Sequence, residues 1–189
     1  EHLGRIAALT AKQVMIQKIR EAERDVVYDD YIRKVGTVIV GKVLRYEKPN
    51  YIIELRNSGE GILPSKEQIR TEVYQTGDTI KVYVSDVRKF GQRVKVVLSR
   101  SHPELLRYLF EEEVPEIKEY RIIEIKGLVR DPGHRAKVAV YSIDSKVDCV
   151  GACVGIRGSR IRAIVEELSG EKIDIVRWDE SPEIYLQIS

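Results

Sequence analysis

The sequence predicts a long helix followed by two small domains, a closed five-stranded β-barrel and an α+β domain. Three observations lead to this fold class. The apolar residues change at Gly36 from a helical period to alternation, which marks a passage from helix to strands. Five short segments rich in Val, Ile and Tyr then follow in under 70 residues. After another helix the chain alternates again, and it continues with a glycine loop, a helix and one more strand.

The composition indicates a soluble globular chain that is long enough for two cores. Its 189 residues are 33% charged and 43% hydrophobic, and no apolar run approaches the length of a membrane span. No secretory signal pattern is visible at the start. Two cysteines, Cys149 and Cys153, are too few for a disulfide framework or a zinc site. We therefore expect a cytoplasmic protein with no metal, no cofactor and no membrane association.

Residues 4–33 are predicted to form a helix. They contain no proline and, after Gly4, no glycine, and their apolar residues fall mostly three or four apart, as at Ile6 and Leu9. A helix of roughly 25 residues would be about 40 Å long, which is long for a small domain. We expect residues 1–33 to be a linker helix from the end of a truncated N-terminal domain.

Residues 34–101 are predicted to form the barrel. Its five strands lie within GTVIVGKVLRY, NYIIEL, EGILPSKEQ, GDTIKVYVSDV and QRVKVVLS, with glycines between or beside them. Because little else in the chain can cover the edges of so many short strands, we expect them to close into a barrel. Five is the strand count of the OB fold. Residues 34–100 carry 13 basic and 7 acidic side chains, an excess that favours a polyanionic partner.

Residues 102–189 are predicted to form the α+β domain and the start of a link to a further domain. Pro103 suits the first turn of a helix, with Ser101 as its expected N-cap. The strands RIIEIKGLVR and AKVAVYSI are joined by the turn at 131–133, in which Pro fixes φ and Gly supplies a positive φ. A later helix should reach its C-cap at Gly170, ahead of the strand EKIDIV.

The loop from Gly155 to Gly158 comes directly before that later helix. The helix is expected to start right after Gly158 with Ser159 near its N-cap, so that its N–H groups and dipole point at the loop. Glycines at both ends let the backbone approach a phosphodiester, and Arg157 and Arg160 would add charge-assisted contacts. On the glycines alone, a tight helix–helix corner is at least as good an interpretation.

The surroundings of the loop resemble a K-homology (KH) domain. The apolar residues ACV precede the loop, Ile161 follows Gly158 by three residues, and the strand KIDIV comes behind. In that family the loop clamps about four nucleotides of single-stranded nucleic acid. Two strands before the loop and one after it are typical of the prokaryotic, type II arrangement. A Walker A loop is excluded because no Gly-Lys-Ser/Thr follows, and a dinucleotide fingerprint because no parallel strand precedes.

With both domains in place, the chain resembles the NusA family of bacterial transcription factors over essentially all 189 residues. The resemblance is carried by GRIAALTAKQVMIQKIREAER, LSRSHPELLRYLFEEEVPEI, IEIKGLVRDPGHRAKVAV and VGACVGIRGSRIRAIVEELSGEKIDIVRWDE, of which the last two are specific. It implies an OB-fold domain of the ribosomal S1 type followed by a first KH domain. The closing SPEIYLQIS resembles the lead-in to a second KH domain.

The resemblance implies a factor without catalytic activity that acts on pausing, termination and antitermination. Its implied partners are single-stranded RNA, RNA polymerase and other antitermination factors, and we expect a monomer. RNA phosphates would be held by the loop, and bases would lie between the following helix and the last strand. The residues that match by position are Gly155, Ile156, Arg157, Gly158, Ser159 and Arg160 in the clamp and Lys172, Ile173 and Asp174 in the strand.

The barrel departs from the S1 pattern at the position of its stacking aromatic. S1 domains often place a Phe on the second strand, but here this position holds Ile52, with Tyr51 one register away. Pro64 replaces the His of the next motif. We expect the barrel to bind RNA weakly, or to serve mainly as a spacer and polymerase-facing surface. Its candidate RNA contacts are Tyr51 and, around the Gly91 turn, Arg88, Lys89, Phe90 and Arg93; solvated turn charges are an equally good interpretation of the turn.

Two other classes of protein stay open at this point. The RNA-capturing arm or subunit of an exoribonuclease complex combines the same domain types. However, polynucleotide phosphorylase has them in the reverse order, and the exosome cap subunit has no reason to contain the helix at 4–33. A ribosome-associated structural protein is the third reading. No Ser/His/Asp or paired-carboxylate arrangement stands out, so no enzymatic activity is expected.

Overall fold

A computed structural model describes residues 2–56 and 59–178, without the side chains of residues 2–7 and 9. The chain divides into two compact units. Unit 1 comprises Glu1–Ser65 and Gln75–Ser99, and unit 2 comprises Lys66–Tyr74 and Arg100–Ser189. The predicted lead-in to a further domain, at 181–189, lies outside the described residues. Among the described helices, none is long and apolar enough to cross a membrane.

Unit 1 begins with the predicted long helix, α1 (His2–Ile32), whose 31 residues extend about 46 Å. Its C-terminal end is fastened to the barrel by Tyr31, which is fully buried and whose hydroxyl donates to the carbonyl of Arg56 at 2.5 Å. A Cβ at Gly59 would lie 2.9 Å from the Tyr31 ring, so glycine is needed where the chain passes the ring. Tyr31 therefore fixes where α1 meets the barrel.

The five predicted barrel strands are confirmed, as is their closure. They are β1 (Val38–Glu47), β2 (Asn50–Glu54), β3 (Glu60–Leu63), β4 (Thr79–Phe90) and β5 (Arg93–Ser99). Neighbours follow the order β1-β2-β3-β5-β4, and β4 pairs with β1 to close the barrel. All pairs are antiparallel except β3 and β5, which run parallel. Because the sheet closes on itself, none of the five strands is left as an exposed edge.

The barrel interior is filled by alternate residues from every strand, including Val43, Ile53 and Leu98, which are almost fully buried. Gly41 and Gly61 lie where strands come closest, because a Cβ there would overlap with Ile53 and Leu98 respectively. These glycines allow the aliphatic side chains to fill the centre of a narrow barrel. Packing of the interior thus explains both the alternation and the glycines within the strands.

Unit 2 has a three-stranded sheet with helices on one face. Its elements are α2 (Pro103–Glu113), α3 (Pro115–Lys118), β6 (Ile123–Asp131), β7 (Arg135–Ser142), α4 (Cys149–Val154), α5 (Ser159–Glu167) and β8 (Lys172–Arg177). The order is β6-β7-β8, with β6 and β7 antiparallel and β7 and β8 parallel. The α4–α5 crossover between parallel strands is the expected type II KH arrangement, which is confirmed.

The predicted N-cap of α2 is displaced by one residue, and the predicted C-cap of α5 is displaced by two, since that cap is Leu168. The N-cap of α2 is His102, whose Nδ1 accepts the N–H of Glu104 at 3.1 Å, because the Ser101 hydroxyl bonds Glu67 instead. The C-terminal end of α5 takes its left-handed turn at Ser169, which has φ of 58°. Gly170 follows with its N–H bonded to the carbonyl of Val165 at 2.9 Å, as in a Schellman motif.

Residues 66–74, which lie between β3 and β4 in the sequence, pack within unit 2. Buried Arg100 holds this segment: its guanidinium donates to the Glu72 carboxylate at 2.7 and 3.1 Å and to the Glu167 carbonyl at 2.9 Å. Burial alone would lower the pKa of Arg100, but its bonds to Glu72 outweigh that effect and raise it. The sequence analysis did not anticipate this placement, because the contacts join residues 28 and 67 positions apart.

A second buried ion pair fastens the β6–β7 turn. Arg130 and Glu171 have fully buried side chains and meet at 3.0 Å. Arg130 also donates to the carbonyl of His102, and Glu171 accepts the N–H of Gly133 at 2.7 Å. Since Glu171 comes just before β8, this pair ties the turn to the strand that follows α5. Removing either partner would leave a buried charge without compensation.

Candidate nucleic-acid interface

The glycine loop of unit 2 connects α4 to α5 in a single short turn. Gly155 has φ of 80° and ψ of 176°, a conformation that is open essentially to glycine alone. One turn of 3-10 helix, Ile156–Gly158, follows, and Gly158, with φ of 74°, is the N-cap of α5. The predicted helix start after Gly158 is confirmed, with Ser159 as the first helical residue.

The two glycines of the loop are required for different reasons. At Gly155 a Cβ would lie 2.7 Å from Cγ of Arg160 and 3.0 Å from its backbone N, so space as well as φ excludes a side chain. At Gly158 the nearest atom to an added Cβ is 3.8 Å away, on Ile161, so only the positive φ matters. The backbone at Gly155 therefore lies directly against the first turn of α5.

The middle of the loop faces solvent. Ile156 is 84% exposed although it is a large aliphatic residue, and Arg157 is exposed with a left-handed φ of 55°. Among the described residues no ion pair involves Arg157. Arg162 donates to the Arg157 carbonyl at 3.2 Å and so supports this strained position. The sequence analysis missed Arg162, although its place off the apolar stripe, near Arg157, would have been a signal.

Arg160, a predicted phosphate contact, is engaged inside the protein. Its Nη1 donates to Glu116 Oε2 at 2.8 Å and to the carbonyl of Ala152 at 2.7 Å. Glu116 is on α3 and Ala152 is on α4, so the side chain runs beneath the loop and away from its exposed face. The loop thus has one basic side chain turned outward, Arg157, and one turned inward, Arg160.

Within the described part of the chain, β8 is an edge strand of the sheet, and it lies beside α4 and α5. Of the three residues predicted there, Lys172 is exposed and Ile173 is buried on the helix side of the sheet. Asp174 lies on the opposite side, where it accepts from Arg135 at 2.9 Å. Because successive side chains of a strand point to opposite faces, Lys172 lies on the same side as Asp174, and of these three side chains only that of Ile173 faces the helices.

The two cysteines lie on α4 beneath the loop. Both are free and buried, and burial raises the pKa of the Cys153 thiol to about 12. A thiol with such a pKa is a poor nucleophile and metal ligand at neutral pH, which favours a packing role for Cys153. Within residues 2–56 and 59–178, no group of three or more His, Cys, Asp or Glu side chains is arranged to hold a metal ion.

On the barrel, the predicted RNA contact Tyr51 belongs to an aromatic pair. Its ring lies 4.7 Å from that of Tyr46, its cross-strand partner on β1, and Tyr46 is 54% exposed. Ile52, which occupies the Phe position of the S1 pattern, is only 8% exposed and offers no stacking surface. The sequence analysis missed Tyr46; a tyrosine on each side of the short EKPN turn was the signal for a cross-strand pair.

The basic residues around the Gly91 turn are largely paired. Arg88 meets Asp86 at 2.6 Å, and Lys89 meets Asp25 of α1 at 3.0 Å and lies over the Tyr28 ring. Hydrogen bonds from Lys89 and Arg24 lower the pKa of the Asp25 carboxyl, and that from Arg88 lowers the pKa of Asp86. Both acids thus stay ionised at neutral pH and compensate these cations.

Two members of this predicted cluster have no ion pair among the described residues. Phe90 is 78% exposed, and Arg93 is exposed at the start of β5. The turn itself is held by Arg24, which donates to the Gly91 carbonyl at 2.7 Å. The hairpin therefore presents one aromatic ring and several exposed basic side chains, of which Arg88 and Lys89 are paired with acids.

Comparison with protein families finds three matches along the chain. A NusA N-terminal domain model matches residues 1–25, an S1 RNA binding domain model matches residues 33–101, and a NusA-like first KH domain model matches residues 100–178. Together they account for nearly all described residues. The helix, the barrel and the α+β unit thus each have a counterpart of the same type.

Curated relatives support the same grouping. The chain is 46% identical over 183 residues to the transcription termination/antitermination protein NusA of Halalkalibacterium halodurans, with 97% of this chain covered. The proteins of the same name from Bacillus subtilis and Thermus thermophilus are 46% and 43% identical, with 95% and 99% of this chain covered. The chain spans about half the length of these relatives, 47 to 48%.

Proposed function

The chain belongs to the NusA family, and we propose that it binds nascent single-stranded RNA next to RNA polymerase and so acts on pausing, termination and antitermination. Two findings support this proposal. The S1 and KH matches are both to RNA-binding domain types, and the relatives are named for termination and antitermination. The place of action would be the bacterial cytoplasm, where the transcript emerges. We propose no catalytic step, because the domains serve to hold RNA.

The observation that carries the proposal is the exposed glycine loop of unit 2. Its backbone can approach a phosphodiester closely at Gly158, which has no Cβ, whereas the absence of a Cβ at Gly155 makes room for Arg160 beneath the loop. The first turn of α5 adds backbone N–H groups and the positive end of a helix dipole. Arg157 supplies a charge at the exposed face that no ion pair within the described part of the chain compensates. Together these features suit a phosphate of single-stranded RNA, which is how KH loops bind nucleic acid.

The bases would lie along the groove between α5 and the free edge of β8. Ile173 is buried beside the helices, where it can form an apolar floor, and exposed Lys172 lies at the start of the strand on its opposite face. The backbone of an edge strand has unpaired N–H and C=O groups that can bond base edges. Contacts of this kind depend little on side chains, so we propose modest sequence preference for unit 2 alone.

The barrel is proposed as the weaker RNA-binding part. Its aliphatic Ile52 is buried and most of the basic residues of its Gly91 turn are paired. The Tyr46–Tyr51 pair offers one aromatic surface on which a base could stack. We propose that the barrel adds to RNA affinity through this pair, while the rest of its surface is free to contact polymerase or other antitermination factors.

The exoribonuclease alternative is not favoured. The matches run in the order N-terminal domain, S1 domain and first KH domain, and two of the three models are specific to NusA. The relatives over the same residues carry the NusA name. This order also agrees with the position of the long helix ahead of the barrel.

A charge placed in the loop tests the proposal. Gly158→Asp should weaken binding of a fluorescein-labelled single-stranded RNA by more than tenfold, or about 1.4 kcal/mol, because its carboxylate would face phosphate. Asp tolerates a left-handed φ, and the added Cβ has open space. Fluorescence anisotropy measures the affinity, and circular dichroism checks the fold. The Gly155→Asp/Gly158→Asp double variant should lose at least as much.

Gly170→Asp is the matched control, since Gly170 also has a positive φ and nothing within 4 Å of an added Cβ, but lies at the other end of α5. It should leave RNA affinity within about twofold. If Gly158→Asp folds normally and binds RNA as the wild type does, the loop is not the RNA clamp.

A further inference from the structure

Arg160 forms a link between three elements that surround the glycine loop. It is the second residue of α5, and its guanidinium reaches Glu116 on α3 and the carbonyl of Ala152 on α4. The distances, 2.8 and 2.7 Å, are those of charge-assisted hydrogen bonds. Both side chains of the ion pair are partly buried. A flexible surface arginine would not hold two such bonds at once.

The Ala152 carbonyl is one that α4 cannot satisfy by itself. It belongs to the last turn of that helix, where carbonyls have no partner within the helix. Gly155 already donates its N–H to the carbonyl of Gly151 at 2.9 Å. Arg160 takes the next carbonyl and so joins the end of α4 to the start of α5. The loop is thereby closed from below by a side-chain bond.

The loop backbone rests on the same side chain. A Cβ at Gly155 would be 2.7 Å from Cγ of Arg160, so the stem of Arg160 supports the chain at the point where φ is 80°. Moving Arg160 would therefore move Gly155. Its charge, in contrast, is compensated by Glu116 and is poorly placed to attract a phosphate.

We propose that Arg160 and Glu116 position the clamp and do not bind RNA: the ion pair holds Gly155 and the start of α5 in the geometry that receives a phosphate. This inference rests on the proposed function, since it assigns the role of one pair within that site. In this role Glu116 affects RNA binding only through Arg160. An acidic residue therefore favours the binding of a polyanion, because it holds Arg160 in place.

Glu116→Gln separates the two roles of Arg160 because they predict opposite signs. Simple electrostatics predicts that removal of an acidic charge near bound RNA strengthens binding. Positioning predicts that binding weakens by roughly three- to tenfold, the size of one lost charge-assisted bond. Glu119→Gln is the matched control: it removes the same charge three residues further along, from an exposed side chain with no ion pair among the described residues. It should bind RNA as tightly as the wild type or slightly tighter.

Arg160→Gln supplies the second arm, with a fluorescein-labelled single-stranded RNA titrated at several salt concentrations. If Arg160 contacted an RNA phosphate, its replacement would lower the slope of log affinity against log salt concentration by about 0.7. A positioning residue lowers affinity and leaves the slope unchanged, as we expect. Thermal unfolding of each variant shows whether a loss of RNA affinity is due to global instability of the protein.

Hydrogen exchange of the RNA-free protein gives a readout that does not depend on RNA. Amides at 155–160 should exchange faster in Glu116→Gln and Arg160→Gln and at the wild-type rate in Glu119→Gln. If the wild type fails to bind RNA, the proposed function fails, and exchange still decides the positioning role. The inference is overturned if Glu116→Gln behaves like Glu119→Gln, or if Arg160→Gln lowers the salt slope with no change in exchange.

Discussion

Two glycine turns with basic neighbours, one in each unit, look alike in the sequence and differ in their surroundings. The loop at 155–158 places Arg157 outward with no ion pair among the described residues, over a backbone that is supported from below by Arg160. The turn around Gly91 has more basic residues, but Asp86 and Asp25 compensate Arg88 and Lys89. The number of basic residues is therefore a poor guide to the charge available to RNA.

The two turns also differ in what their glycines do. Gly155 packs against backbone and side-chain atoms of Arg160, whereas Gly91 has nothing within 4 Å of an added Cβ. One glycine is required by space and φ together, the other by φ alone. The loop in unit 2 is thus a site made of backbone, and the barrel turn is a solvent-exposed hairpin end held by ion pairs. The difference can be tested turn against turn.

The largest expected effect is the loss of stability when the glycine of each turn is replaced by alanine. Gly155→Ala should lower the free energy of unfolding of unit 2 by about 3 kcal/mol, because strain in φ adds to a clash with Arg160. Gly91→Ala should cost only about 1 kcal/mol, from φ alone. Urea unfolding followed by Trp178 fluorescence reports on unit 2, since Trp178 is the single tryptophan. If the two variants lost equal free energy of unfolding, each measured for its own unit, the two glycines would not differ in what requires them.

A smaller effect, on RNA affinity, is expected when one exposed arginine of each turn is replaced by glutamine. Arg157→Gln should weaken single-stranded RNA binding about fivefold and reduce the salt slope by about 0.7, as for one lost phosphate contact. Arg88→Gln should change affinity by less than about twofold, because Asp86 already compensates this charge. Anisotropy titrations at several salt concentrations measure both. If Arg88→Gln lost more RNA affinity than Arg157→Gln, the barrel turn would be the main RNA contact.

The smallest effect should appear when the acids of the barrel turn are removed. Asp25→Asn with Asp86→Asn frees Lys89 and Arg88, and RNA affinity at low salt should rise about twofold. The same charge change at Glu23→Gln with Glu54→Gln, exposed acids without ion pairs among the described residues, is the matched control. The comparison between the turns is sharpened if only the first pair raises affinity. Equal gains would show that net charge alone is responsible.

The barrel and the KH arrangement could be predicted because their signals are local. Alternating Val and Ile residues define strands, the turn at 131–133 contains its own Pro and Gly, and the glycine loop stands directly before an amphipathic helix. The N-cap of α2 was placed one residue away from its true position, and the C-cap of α5 was placed two residues away. At α2 a glutamate from a distant segment takes the hydroxyl of Ser101, and at α5 Ser169 adopts the left-handed turn ahead of Gly170.

The roles of the charged residues could not be predicted in the same way. Arg160 and Glu116 are 44 positions apart, and Lys89 and Asp25 lie on β4 and on α1. Nothing in the local sequence of Arg157 and Arg160 indicates that one points outward and the other inward. Likewise, residues 66–74 follow a barrel strand in the sequence but pack within unit 2.

The sequence by itself determined the order of the elements, the closed barrel, the type II KH topology and the position of the glycine loop. The element order, the closed barrel and the position of the loop follow from periodicity and turn residues over a few neighbouring positions, and the type II KH topology is what the resemblance to that family implies. The tertiary structure alone decided which arginine is available to a phosphate, which acids compensate the barrel turn and what supports Gly155. These depend on side chains that meet across elements far apart in sequence, where a shift of a few ångströms makes or breaks a hydrogen bond.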